Sequence, residues 1–394
     1  MATGSKGRKR RNPATYLTDD LVVEIISRLP VKSVCRFKCV SKHWRGLISH
    51  PDHRKKLPQA LASFFYCTYS GDCFPESTRQ FTNVTGRGAP LIRPSLSFLP
   101  GNVNITILDC CNGLLLYRYW KTAGATSFFF CNLATEEWTA LLESSHCETG
   151  TTMRLGFDPA TSPHFYVFGL LETVPETIHD YNFIDGLEIY SSETKEWVRK
   201  DNGWSGNVQL PDDPSTVFLN SFLHAGRRGG PVPYGNDDGF IGLSQGHLYY
   251  LNPVYDFELS IYVLEDYATD ECIFKHSVST TELLGMHTFG FQRYRLMAIH
   301  PECYLIFFVS DIDNTIRCYD MEHRKVNVIY NMGCELESWK SSLAYVPLFQ
   351  SHLQQEVKSS LSGPPTRSTS IYSGTHLVAA WLSGGGNYVS FNLL

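Results

Sequence analysis

Tyr16-Leu17-Thr18-Asp19-Asp20-Leu21-Val22-Val23-Glu24-Ile25-Ile26-Ser27-Arg28-Leu29-Pro30 opens the most strongly patterned segment of this 394-residue chain. Thr18 stands where an N-cap belongs, and Asp19 and Asp20 fill the first turn, where carboxylates favour the positive end of a helix. Leu17, Leu21, Ile25 and Leu29 recur every four residues and make one apolar stripe; Val22 and Ile26 make a second beside it. Pro30 stops this helix and suits the first turn of another. Further on, Ser41 is placed to cap a third helix that carries Trp44, Leu47 and Ile48. The segment therefore reads as three short helices with more than one apolar face. A surface helix needs only one such face, so the second wants a partner.

Three runs here, Leu29-Pro30-Val31-Lys32-Ser33, Arg36-Phe37-Lys38-Cys39-Val40-Ser41-Lys42, and Trp44-Arg45 through Ser49-His50-Pro51, resemble the plant form of the F-box. That module is the adaptor-binding part of SCF-type cullin–RING ubiquitin ligases. The family usually opens Leu-Pro, where this chain has Leu17-Thr18. The resemblance implies an adaptor subunit as partner, with a cullin beyond it. It also implies that Leu17, Leu21, Leu29, Pro30, Val34, Val40 and Trp44 grip that adaptor.

Charge is unevenly distributed. Lys6, Arg8, Lys9, Arg10 and Arg11 make the first 14 residues a basic tail, expected to be disordered. Residues 16–58 hold nine Lys/Arg against four Asp/Glu, and the remainder holds 20 basic against 35 acidic residues, a net of −15. A body this acidic repels phosphate backbones and disfavours nucleic acid as a partner. The same acidity opposes a helix-turn-helix reading of Lys32 to Arg45. No apolar run approaches the ~18 residues of a membrane span, and no signal peptide opens the sequence. A cytoplasmic or nuclear location is expected, with the basic run read either as an import signal or as a solubilising tail. The glycosylation sequons at Asn83 and Asn104 are then idle. The twelve cysteines are expected to be reduced. Cys35, Cys39 and His43 have helical spacing, with His50 and His53 following, but a zinc site there would need one helix unbroken through Ser41. No metal or cofactor is expected.

After about residue 60 the helical period gives way to short β-branched and aromatic runs between turn residues. A polar turn recurs. Phe128 to Leu133 is followed by Ala134-Thr135-Glu136-Glu137-Trp138, and Leu187 to Ser191 by Glu193-Thr194-Lys195-Glu196-Trp197. Ser260 to Leu264 precedes Ala268-Thr269-Asp270-Glu271-Cys272, and Thr315 to Asp320 precedes Glu322-His323-Arg324-Lys325-Val326. Between these copies lies a second kind of hairpin: Gly156-Phe157-Asp158-Pro159 turning into Phe165, Ile299-His300-Pro301 turning into Tyr304, and tight turns at Asn112-Gly113 and Gln245-Gly246. Two hairpins per repeat make a four-stranded sheet. A closed ring of such sheets removes most free edges. The fold expected is a small all-α F-box of three helices followed by an all-β domain, a β-propeller of about five to seven four-stranded blades. Its segments are 1–14 tail, 15–58 F-box, 60–350 propeller, 351–370 Ser/Pro/Gly-rich linker, and 371–394 an apolar tail, possibly supplying the ring-closing strand.

The body resembles the F-box-associated, kelch-like domain of plant F-box proteins at Cys110-Cys111-Asn112-Gly113-Leu114-Leu115, Cys131 to Trp138, Gly156 to Pro159 and Tyr345-Val346-Pro347. The kelch pair of glycines is not clearly present. No nucleophile elbow, phosphate loop or His-Glu-x-x-His occurs. The chain is therefore read as a non-catalytic substrate receptor of a ubiquitin ligase, with an unknown protein substrate. The alternative is a propeller-fold enzyme or carbohydrate-binding protein whose helices are only a cap. Three long connections break the repeat: Glu172 to Asp185, Asp201 to Thr216, and His224 to Asp238. They carry Tyr181, Phe183, Trp204 and Tyr234, residue types that dominate interface energetics, among nine carboxylates. An acidic, aromatic-studded face that captures a basic protein segment is the expectation.

Overall fold

Asn112-Gly113 and Gln245-Gly246 show how the body is built. In the computed structural model of the chain, both pairs adopt positive φ (45° and 87°; 50° and 79°), the conformation of a type I′ hairpin. The structure describes residues 17–29, 33–34, 37, 40–50, 53, 61, 63–68, 78–83, 98–99, 105–120, 126–141, 151–172, 184–200, 215–226, 239–254, 257–265, 272–286, 294–333, 343–348 and 388–393. The chain divides into two units, Met1–Pro58 and Gln59–Leu394.

In the first unit, α1 spans Asp19–Ser27 and α2 spans Lys42–Ser49, with helical backbone also at Ser33, Val34 and Phe37. Thr18 occupies the N-cap with extended backbone, but its side chain makes no capping bond. Ser41 does cap: its Oγ accepts the Trp44 N–H at 3.1 Å. Val22, Val23, Ile26, Val34, Leu47 and Ile48 form the buried core, with Leu29, Phe37 and Trp44 packed against it. The second apolar stripe of α1 thus faces inward.

The second unit contains six sheets among its described residues. Sheet 1 joins β1 (Ser63–Thr68), β2 (Thr78–Asn83) and β21 (Leu343–Tyr345). Sheet 2 runs β3 (Ile105–Cys111), β4 (Leu114–Trp120), β5 (Thr126–Asn132), β6 (Glu137–Ala140). Sheet 3 runs β7 (Thr152–Phe157), β8 (Phe165–Glu172), β9 (Ile184–Ser191), β10 (Glu196–Lys200). Sheet 4 joins β11 (Thr216–Leu219), β12 (Phe222–Gly226) and β22 (Tyr388–Asn392). Sheet 5 runs β13 (Phe240–Ser244), β14 (His247–Val254), β15 (Glu258–Leu264), β16 (Cys272–Ser279), after which comes α3 (Thr280–Leu284). Sheet 6 runs β17 (Tyr294–Ile299), β18 (Leu305–Ser310), β19 (Thr315–Asp320), β20 (Lys325–Asn331). The inner strands touch in the cyclic order β3, β7, β11, β13, β17, β21 and back to β3, so the sheets form a propeller-like ring.

The described copies of the polar turn each join the third strand of a four-stranded sheet to its outer strand, and Ala268 to Glu271 lie outside the described residues. Asn132, Ser191 and Asp320 occupy the same place in three copies and accept the N–H two residues on, at 3.0, 3.3 and 3.0 Å. Glu136, Lys195 and Arg324 then take the left-handed conformation that completes the hairpin. Trp138 pairs with Cys131 and Trp197 with Tyr190, equivalent positions one step beyond the turn. Both are only partly buried. An outer strand lacks a neighbour on one side, so less of its side chains is covered than a ring-buried position would allow.

Ring closure falls elsewhere than on the apolar tail. The seam is made by β21 pairing with β1, Ser63 opposite Tyr345. The segment after it is clamped over the first hairpin: a Cβ on Gly113 would lie 2.4 Å from Leu348 Cβ, and the Asn132 side-chain amide donates to the Leu348 carbonyl at 2.8 Å. Within the tail, β22 pairs with β12 and sends Phe391 and Leu393 into the core between sheets 3 and 4. A two-stranded hairpin, β11–β12, offers an open edge, and β22 fills it. Residues 1–14 and 351–370 lie outside the described residues.

Apolar clusters fill the spaces between sheets 1 and 2, 2 and 3, 3 and 4, 5 and 6, and 6 and 1. Among the described residues no such cluster joins sheets 4 and 5. There, opposite the apolar face of β12, stands His224, 4% exposed, bonded through Nδ1 to Ser390 Oγ at 2.8 Å. Burial pushes its imidazole down to about 4.

Candidate functional site

On α1 the packing divides the apolar residues. Val22, Val23 and Ile26 turn into the core, which leaves Leu17, Leu21 and Ile25 outside at 44, 51 and 49% exposure. Spacing of four residues places Leu21 and Ile25 on one face of α1, about 6 Å of helix rise apart, and Leu17 directly precedes the N-cap Thr18. Val40, immediately before the Ser41 cap, is 61% exposed. Its N–H donates to the Phe37 carbonyl at 3.1 Å, which fixes its backbone. His43 Nε2 meets Asp19 Oδ1 at 2.9 Å and so holds the start of α2 beside the start of α1. Four large apolar side chains thus stand exposed on a unit whose core is already filled.

The other residues expected to grip a partner are placed differently. Val34 is 6% exposed and belongs to the unit's own core, so its side chain supports the surface from beneath. Leu29 and Trp44 pack on that core, Trp44 with its ring 5.1 Å from that of Phe37. Pro30 lies outside the described residues. Ile25, which the four-residue repeat already marked, is the addition that exposure makes. A metal site on this segment has no single helix to stand on, because Ser41 is fully extended (φ −161°, ψ 163°) between Cys39 and His43. Among the described residues no group of three or more His, Cys, Asp or Glu side chains could hold a metal ion.

Tyr181, Phe183, Trp204 and Tyr234 all lie outside the described residues. The strand ends that flank their connections are described. The connections run from Glu172 to Ile184, from Lys200 to Thr216 and from Gly226 to Phe240. Each leaves an even-numbered strand and enters an odd-numbered one. With antiparallel pairing throughout, such connections share one rim of the ring. Hydrogen bonds tie two of them together at their roots: the Gly226 N–H donates to the Ser215 carbonyl at 3.2 Å, and Ser215 Oγ accepts the Ile241 N–H at 2.8 Å.

Residues 16–56 match the F-box domain family. An F-box protein of Arabidopsis thaliana is 27% identical over 242 residues, covering 55% of this chain and 53% of that protein. An F-box/kelch-repeat protein of the same plant is 25% identical over 229 residues, covering 56% of this chain and 53% of its own length. A third Arabidopsis F-box protein is 35% identical over 103 residues, 26% of this chain and 27% of the relative. The chain spans about half the length, or less, of these curated relatives. The exposed helical face described above falls within the matched residues, and the chain accordingly carries an N-terminal F-box domain and is similar to plant F-box proteins.

Proposed function

We propose that this chain is the substrate-recognition subunit of an SCF-type cullin–RING ubiquitin ligase. The observation that carries the reading is the exposure of Leu17, Leu21, Ile25 and Val40 on a completed core within the F-box match. That face docks the adaptor subunit, and through it a cullin. The ring captures a protein substrate at the rim where the three long connections are rooted. Tyr181, Phe183, Trp204 and Tyr234 supply the contacts there, and the surrounding carboxylates favour a basic segment. The chain itself performs no chemistry in this reading. Ubiquitin transfer belongs to partner subunits, and this chain contributes proximity.

Gel filtration of the purified full chain with purified adaptor and cullin tests the first half. One complex containing all three is the expected result; a folded chain that elutes apart from the adaptor contradicts it. For the second half, Trp204→Ala with Tyr234→Ala should lower substrate capture at least about tenfold, roughly 1.4 kcal/mol, with adaptor binding unchanged. Capture should also weaken with added salt. Equal capture by the double variant contradicts the rim assignment.

A further inference from the structure

Most exposed apolar side chains of the ring stand on outer strands: Val198 on β10, Ile273 and Phe274 on β16, Val328 and Tyr330 on β20. Scattered exposure of that kind is ordinary. Three others are not on outer strands. Phe257 (71% exposed) lies between β14 and β15, Met286 (49%) directly follows α3, and Ile312 (40%) lies between β18 and β19. All three connections leave even-numbered strands, so they share the rim on which the long connections of sheets 3 to 5 are rooted.

Hydrogen bonds lock these three connections to one another. The Thr280 hydroxyl of α3 donates to the Phe257 carbonyl at 3.4 Å. A capping box at Ser279 and Glu282 starts α3, and Gly285 at φ +77° ends it, which sets the position of Met286. From the next sheet, Arg317 reaches across with Nη1 donating to the carbonyls of Leu283 and Leu284 at 3.1 and 2.9 Å, while its Nη2 donates to Asp313 at 2.7 Å. Asp313 follows Ile312 in the chain. Beside it, Arg295 holds Asp311 at 2.8 Å. Three apolar side chains therefore stand beside described residues that these bonds hold together.

The charges on these segments decide the occupant. Both guanidiniums are spent on Asp311 and Asp313. Glu258 and Glu282 remain, and neither forms an ion pair among the described residues. Among the described residues, four carboxylates stand against two guanidiniums, so the platform is apolar with an acidic margin.

We infer that Phe257, Met286 and Ile312 form a docking platform on the rim of sheets 5 and 6 for a protein segment with apolar side chains at its centre and basic residues at its ends. The inference deepens the receptor reading and rests on it, by extending substrate capture to a second stretch of the same rim.

The test uses the full chain in complex with the adaptor and two fluorescent peptides, both with Leu and Phe at the centre, one flanked by Lys and one by Glu. Anisotropy should show the Lys-flanked peptide binding at least about tenfold more tightly than the Glu-flanked one. Phe257→Ser with Ile312→Ser should cost the Lys-flanked peptide at least about tenfold, whereas Val328→Ser, on an outer strand, should cost nothing. Equal affinity of the two peptides, failure of both to bind, undiminished binding by the double variant, or an equal loss with Val328→Ser each overturns the proposal. Adaptor capture, measured on the same samples, is a separate readout. Its absence in the parent chain would defeat the ligase reading whatever the peptides do.

Discussion

The F-box unit and the ring treat apolar side chains in opposite ways. In the small unit, α1 buries Val22, Val23 and Ile26 and leaves Leu21 and Ile25 half exposed, with Leu17 exposed just before its N-cap. In the ring, the described inner strands put their large apolar residues into clusters between sheets, and the proposed recognition falls to connections at one rim. A helix of nine residues can serve both a core and a partner because its two faces are independent. A ring strand packed on both faces has no such freedom. The proposed function therefore sits on secondary structure in the first unit and between elements in the second.

That contrast can be broken by substitution, and the largest effect is expected in the ring. Gly113→Ala places a Cβ 2.4 Å from Leu348 Cβ and 2.5 Å from its backbone nitrogen, at a φ of +87° that L residues rarely adopt. Neither backbone can yield cheaply. A loss of at least about 3 kcal/mol in ring stability is expected by chemical denaturation, with adaptor binding retained. If the variant melts like the parent, the clamp of residues 346–348 over this hairpin is misplaced.

The polar seam between sheets 4 and 5 should respond to pH where the apolar seams do not. The His224 imidazole, held near 4 in the folded ring, titrates at its ordinary value of about 6.5 in the unfolded chain. The unfolded state therefore binds the extra proton. Stability from this group is fully present above about 6.5 and is lost as pH falls towards 4, up to about 3 kcal/mol. His224→Gln should flatten the dependence of thermal stability on pH over that window. An unchanged slope would show that other groups govern it.

Smaller effects compare equivalent positions. Trp138→Ala and Trp197→Ala should each cost the ring about 2 kcal/mol, less than a fully buried aromatic, because both are only partly covered. Strongly unequal losses would deny that the two polar turns are equivalent. Within α1, Val23→Ala should cost about 1–2 kcal/mol and Leu21→Ala at most about 0.5 kcal/mol. That difference, measured by thermal unfolding, checks which face of the helix is core.

Much of this was legible in residues. The Ser41 cap, the two Asn/Gln-Gly hairpins and the polar turns after Asn132, Ser191 and Asp320 all depend on local chemistry, and each stands where its residues place it. Other features depend on partners distant in sequence. Both stripes of α1 are apolar, so sequence alone does not choose the buried one; packing against Leu47 and Ile48 does. The seam strand Leu343–Tyr345 is three residues long, too short to show a period. The partner of β22 is β12, an edge left open by a two-stranded hairpin that no pattern in 371–394 announces. Exposure of Phe257, Met286 and Ile312 likewise follows from how neighbouring sheets meet.

Calorimetric titration of purified adaptor into the full chain carrying Leu21→Glu and Ile25→Glu tests the central claim most directly. Both side chains are about half exposed, so the F-box should melt as in the parent, while adaptor affinity falls at least about 100-fold, some 3 kcal/mol. Parent-like affinity in a folded double variant would contradict the assignment of this face to the adaptor.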